Sequence, residues 1–173
     1  MINHRDTEAQ RFTILYSYSR FSGGLKRGRR MRTPVTYTAP RIACSTAVPA
    51  DAEQVLTRKI ISAAIAVHRA LAPGLLESAY QACLGREFEL HQLAFRKQVD
   101  LPLVYKDVKL DCGYRIDFIV EEKAVVELKA VEGLLPVHQA QLLTYLRLTG
   151  LRVGLLINFN VPVLKDGIRR RVL

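Results

Sequence analysis

The sequence predicts an α/β or α+β sandwich. Three patterns point there. A helical apolar stripe runs through residues 51–71, a block of short strand-like segments fills 99–130, and a further helix with two strands follows to residue 173. Helices and strands in such a mixture bury their apolar faces against one another in layers.

The first 50 residues lack sustained periodicity. Gly23-Gly24, the run Lys26-Arg27-Gly28-Arg29-Arg30, and Pro34, Pro40 and Pro49 read as a poorly ordered basic N-terminal extension. Met31 offers an internal start, so an upstream extension without function is the favoured reading; a basic nucleic-acid arm and an Arg-rich targeting peptide are its alternatives. No apolar h-region marks a secretory signal. A patterned domain then spans 51–173. Leu56, Ile60, Ala63, Ala64, Val67 and Leu71 share one helical face. Ala72-Pro73-Gly74 breaks that helix, and a second runs from about Leu75 to His91, with Leu76, Tyr80, Cys83 and Leu84 on one side. Strand-like segments follow at Val99–Tyr105, Val108–Leu110, Tyr114–Val120 and Ala124–Ala130, with turn signals at Lys106-Asp107 and Asp111-Cys112-Gly113. A third helix covers Pro136 to Leu148 and stops at Gly150. Strands Val153–Phe159 and Ile168–Leu173 come last, joined through a turn at Asp166-Gly167.

Composition narrows the function. The chain has 173 residues, 49% hydrophobic and 24% charged, as in ordinary globular proteins. No apolar run approaches the roughly 18 residues of a membrane span, so no membrane partner is expected. Cys44, Cys83 and Cys112 lie far apart and form no CxxC pair, which suits reduced, buried thiols and a cytoplasmic location. Net charge is +10. Residues 1–50 hold nine basic and two acidic residues, a net of +7, which leaves +3 for 51–173. A basic chain favours a polyanionic partner such as nucleic acid, though the patterned domain supports that only weakly. Composition fixes no oligomeric state; a homodimer stays open.

The chemistry concentrates in two apolar strands. Asp117 interrupts Tyr114–Val120, and Glu127 and Lys129 interrupt Ala124–Ala130, with Glu121-Glu122-Lys123 as the turn between them. Glu127 and Lys129 point the same way along their strand. Charges on a core strand cost free energy unless compensated, and a divalent metal with its water would compensate them. An antiparallel pair would bring Asp117 and Glu127 together, and their oxygens suit Mg²⁺ or Mn²⁺, with the Leu128 carbonyl as a third ligand. Lys129 would position or deprotonate the water, or hold charge in the transition state. The bland alternative is an exposed edge hairpin with a weak ion pair. Two further groups stand out. Glu77 opens the second helix, where a first-turn carboxylate also suits the helix dipole. His138, Gln141 and Tyr145 share one stripe of the third helix, able to donate to phosphate oxygens or simply to face water.

Taken in order, these motifs resemble a known family. Pro73-Gly74-Leu75-Leu76-Glu77-Ser78-Ala79-Tyr80 is similar to the signature of the GxxExxY proteins, with Gly74, Glu77 and Tyr80 at the named positions. The resemblance continues through Gln98, Tyr105, Asp117, Glu127-Leu128-Lys129, His138, Gln141 and Tyr145 to Gly154-Leu155-Leu156-Ile157-Asn158-Phe159, about Val55 to Leu173 in all. That family is placed in the PD-(D/E)XK nuclease superfamily, and the Gln141–Tyr145 pair is similar to the QxxxY helix of RecB-type nucleases. The resemblance implies a restriction-endonuclease-like core, a mixed sheet flanked by helices, and a metal-dependent nuclease acting on nucleic acid, with DNA the expected polymer. It implies Asp117 and Glu127 as metal ligands, Lys129 as the catalytic lysine, and Glu77 as the helix carboxylate that completes the metal site or orients a water. Tyr80, His138, Gln141 and Tyr145 would contact substrate. The sequence departs from the pattern at Ala72 and Asn160, where glycine is usual. A non-catalytic nucleic-acid- or protein-binding module on the same fold is the rival reading.

Overall fold

The computed structural model describes residues 50–106, 108–110 and 113–173. The expectation for residues 1–50 lies outside these, save that Ala50 begins the first helix; Cys44 and Cys112 also lie outside. Helices α1 (Ala50–Leu71) and α2 (Glu77–Leu90) precede β1 (Phe95–Asp100), β2 (Leu103–Tyr105), β3 (Val108–Leu110), β4 (Arg115–Val120) and β5 (Ala124–Lys129). Then come α3 (Pro136–Thr149), β6 (Val153–Asn158), the one-turn α4 (Leu164–Gly167) and β7 (Ile168–Val172).

Five strands form one sheet in the order β1-β4-β5-β6-β7. β5 and β6 are parallel and joined through α3; the other neighbours are antiparallel. The sheet is therefore mixed, as expected of the α+β class. β2 and β3 form a separate antiparallel hairpin.

Both faces of the sheet are covered. The predicted stripe of α1, Leu56, Ile60, Ala63, Ala64 and Val67, is buried with Tyr80, Leu84 and Phe88 of α2 against Phe118, Val120, Val126, Leu128, Leu155 and Ile157. Burying each large aliphatic side chain there contributes roughly 2 kcal/mol. On the other face Leu142, Tyr145 and Leu146 of α3 meet Ile119, Val125 and Leu156. Gly154 sets how closely α3 approaches: a Cβ there would sit 2.9 Å from Leu142 Cδ1 and 3.0 Å from Leu146 Cδ1. Gly150 ends α3 with φ 73, a left-handed conformation that glycine adopts freely.

Some boundaries move. The single strand expected at Val99–Tyr105 is two, because β1 begins at Phe95 and pairing lapses at Pro102, after the Leu101 N–H bonds the Tyr114 carbonyl; proline has no N–H to donate. Residues 95–97 escaped notice because an edge strand with Arg96 and Lys97 exposed shows no apolar alternation. The turn expected at Asp166-Gly167 is the end of α4, and α2 starts at Glu77, two residues later than expected. No helix among the described residues is long and apolar enough to cross a membrane.

Candidate active site

The site forms where the sheet splits. β4 and β5 pair from Val120↔Ala124 to Phe118↔Val126. Beyond that the Asp117 side chain enters the ladder: its Oδ2 accepts the Leu128 backbone N–H at 2.8 Å. On the other flank, Gln98 falls opposite Asp117 between the pairs Lys97↔Phe118 and Val99↔Ile116. Gln98 takes φ 52 there, a left-handed conformation that costs a non-glycine residue about 1 kcal/mol or more. Face alternation breaks at Asp117 as a result. Ile116 packs into the α3-side cluster, while Phe118, two residues on, packs toward α1 and α2.

Asp117 and Glu127 are buried at 8% and 3% exposure, on strands interior to the sheet. An exposed edge hairpin, the bland reading of these charges, is excluded by that burial. Lys129 lies on the Glu127 face as expected, and its ammonium donates to Glu127 Oε1 at 2.7 Å and to the Leu128 carbonyl at 2.8 Å. Glu127 Oε2 is buried without any hydrogen-bond partner. Burial pushes the Glu127 carboxyl up to about 7, with the Asp117 charge adding to the rise and Lys129 opposing it. Burial likewise raises Asp117, against the pull of the Leu128 N–H and the Lys129 ammonium. For Lys129 burial pulls downward, but the surrounding carboxylates, Glu127 foremost, outweigh it and hold the ammonium above its ordinary range.

Glu77, the first residue of α2, joins this group. Its half-buried carboxyl is raised by burial, lowered by Lys129, raised by Asp117, and takes a backbone hydrogen bond from Ala130. The imidazole Nδ1 of His138 accepts the Leu135 N–H at 3.1 Å, which caps the start of α3. One turn on, Gln141 donates to the Tyr145 hydroxyl at 2.7 Å. Tyr145 is 2% exposed and lies within the fields of Glu127, Lys129 and Asp117; burial raises its phenol.

Tyr80 occupies a different place from the one expected of a substrate contact. It is fully buried and stacks on Phe159 at 4.5 Å between ring centroids. Its hydroxyl donates to the Ala72 carbonyl at 2.6 Å and accepts the Leu75 N–H at 3.2 Å. The ring thus anchors the loop that delivers Glu77, and substrate has no access to it. Ala72, where glycine was expected, carries φ 56 in that loop. Three residues have roles that the sequence did not assign, Gln81 and, within the resembling segments, Gln98 and Asn158. Gln81 donates to Asp117 Oδ1 at 2.7 Å and Gln98 to the same oxygen at 3.1 Å. Asn158, opposite Lys129 in the ladder, bridges the Val131 N–H at 3.1 Å and the Val131 carbonyl at 2.8 Å, which holds the segment after Lys129. Gln98 and Asn158 left a signal as positions of the resemblance, and Gln81 by standing four residues after Glu77 on the same helix face.

The oxygen donors fit a hard divalent ion. Glu127 Oε2 needs a partner, and the Lys129 ammonium already stands where a cation would, shared between Glu127 and the Leu128 carbonyl, both expected ligands. Among the described residues no three His, Cys, Asp or Glu side chains gather tightly enough to hold a metal alone. Two carboxylates, a carbonyl and retained waters suit Mg²⁺, which keeps part of its hydration shell.

A split mixed sheet with a buried Asp and Glu and a partly buried Lys at its opening defines a class of nuclease-like domains. The sequence profile of the PD-(D/E)XK nuclease superfamily matches residues 54–171, and the chain belongs to that superfamily, whose members generally use divalent metal ions. No curated protein and no solved structure gives a significant match.

Proposed function

We propose that this chain is a divalent-metal-dependent nuclease of the GxxExxY type that hydrolyses phosphodiester bonds of nucleic acid, with DNA as substrate and Mg²⁺ or Mn²⁺ as cofactor. The observation that carries the proposal is the buried Asp117–Glu127 pair with an unpartnered Glu127 oxygen and Lys129 beside it. Asp117, Glu127 and the Leu128 carbonyl would hold the ion, and Glu77 would complete its shell or orient a water. Such an ion lowers the pKa of bound water and polarises a phosphoryl oxygen.

The residues of the chain do the rest. The carboxylates around Lys129 favour its ammonium form, which suits a fixed positive charge at the reacting phosphate. Water oxygen forms the new bond to phosphorus and gives up a proton to solvent water, the bond to the leaving sugar oxygen breaks, and that oxygen takes up a proton from solvent water. Gln141 keeps a free N–H for a phosphate oxygen, and the His138 Nε2 lies on the same helix stripe. The reduced cysteines inferred from sequence accord with a cytoplasmic setting.

Cleavage of single- and double-stranded DNA in Mg²⁺ or Mn²⁺ tests this, with wild type beside Asp117→Ala and Lys129→Ala. Wild type should cut and both variants should fail. Equal cleavage by all three would sink the proposal. Metal-independent binding that survives Lys129→Ala would favour a non-catalytic binding module.

A further inference from the structure

Asp117 is unusually well held for a carboxylate awaiting a metal. Oδ1 receives two amide N–H groups, from Gln81 on α2 and Gln98 on β1, and Oδ2 receives the Leu128 N–H. An ionised carboxylate offers about four lone-pair positions, and it only accepts, so the amide nitrogens must face it. Three positions are filled, and both on Oδ1. One remains, on Oδ2.

The two glutamines come from elements on different sides of Asp117, and each has its own reason to be there. Gln81 lies four residues after Glu77, so one face of α2 presents the Glu77 carboxyl and the amide that grips Asp117. Gln98 adopts its left-handed φ of 52 in the middle of β1, directly across from Asp117, and the pairs on either side keep their register. A side chain held in a disfavoured backbone conformation, at the point where it meets a buried carboxylate, marks a functional constraint rather than a packing accident.

We propose that Gln81 and Gln98 are positioning residues that reserve Oδ1 of Asp117 for hydrogen bonding and leave Oδ2 as its one ligating oxygen for a divalent ion. The inference rests on the nuclease reading above; Gln81 lies outside the motif, and Gln98 lies within the resemblance without a role assigned to it. Groups that orient a metal ligand typically contribute a factor of roughly 10 to 100 in metal affinity.

The test is Mn²⁺ binding by calorimetry, with thermal melts, on wild type, Asp117→Asn, Gln81→Met and Gln98→Gly. Methionine keeps the helix and the length of Gln81, and glycine accepts the φ of residue 98 without strain. The expected result is a dissociation constant roughly tenfold or more weaker for each glutamine variant, with Gln98→Gly melting within a few degrees of wild type. A purely structural glutamine would lower the melting temperature and leave Mn²⁺ affinity alone. If Asp117→Asn weakens binding but both glutamine variants bind as wild type does, the positioning proposal is overturned by itself. If wild type and Asp117→Asn bind Mn²⁺ alike, the metal reading is overturned and this proposal with it.

Discussion

Replacing Glu127 by glutamine should make the metal-free protein more stable at pH 8. In the unfolded chain this carboxyl titrates near its ordinary value of 4.5; in the folded protein it is pushed up to about 7. Below pH 4.5 both states hold the proton and the residue costs nothing. Between the two values the unfolded chain releases its proton while the folded state keeps it, so stability falls as pH rises. Above pH 7 both states are ionised and the full penalty stands. The gap of 2.5 between those two values, at about 1.4 kcal/mol per unit, sets it at about 3 kcal/mol. Solvent gives little relief, because the Glu127 side chain is 4% exposed. Glu127→Gln keeps the shape and an oxygen for Lys129 but removes the buried charge. At pH 8 in EDTA the gain should approach about 3 kcal/mol, a rise in melting temperature of roughly 6–12 °C. At pH 5 it should shrink below about 1 kcal/mol. Saturating Mg²⁺ should narrow the gap, since only the wild-type carboxylate then gains binding energy. Melts from pH 5 to 8.5 read all of this. A variant no more stable than wild type at pH 8, or one whose gain is independent of pH, would refute the reasoning.

Two further outcomes follow from the same geometry. Lys129→Met frees Glu127 Oε1 and the Leu128 carbonyl and removes a nearby positive charge, so calorimetry should show Mn²⁺ binding tightened by about tenfold while DNA cleavage is lost; weaker binding would contradict the shared-oxygen picture. Tyr80→Phe removes the hydroxyl that ties Ala72 to Leu75, and thermal melts should show a loss of about 1 kcal/mol, roughly 3 °C. An unchanged melt would mean the loop before Glu77 holds without it.

How much of this was legible in the sequence depended on whether a residue violated its local pattern. Asp117, Glu127 and Lys129 were visible because charge inside an apolar strand is anomalous. The helical stripes of α1 and α3 were visible because burial on one face imposes a period. β1 was obscured because an edge strand bears polar side chains that resemble a loop. Gln98 stands among the resembling positions without a role, and Gln81 looks like solvated surface in one dimension; only the fold shows that both amides meet one oxygen. Tyr80 illustrates a different limit. The pattern marks the residue but not its direction, and the ring faces the core rather than the cleft. The splitting of β4 from β5 was also hidden, because a side chain replacing a carbonyl in a ladder leaves no mark in hydrophobic alternation.

The central claim is that Asp117 and Glu127 hold a divalent ion beside Lys129. Crystals grown with Mn²⁺ and measured for its anomalous scattering test it most directly. The account predicts a peak roughly 2.1 Å from a carboxylate oxygen of each residue, with Asp117 contributing Oδ2. A structure in saturating Mn²⁺ without that peak, and with the Lys129 ammonium still bound to Glu127, would contradict it.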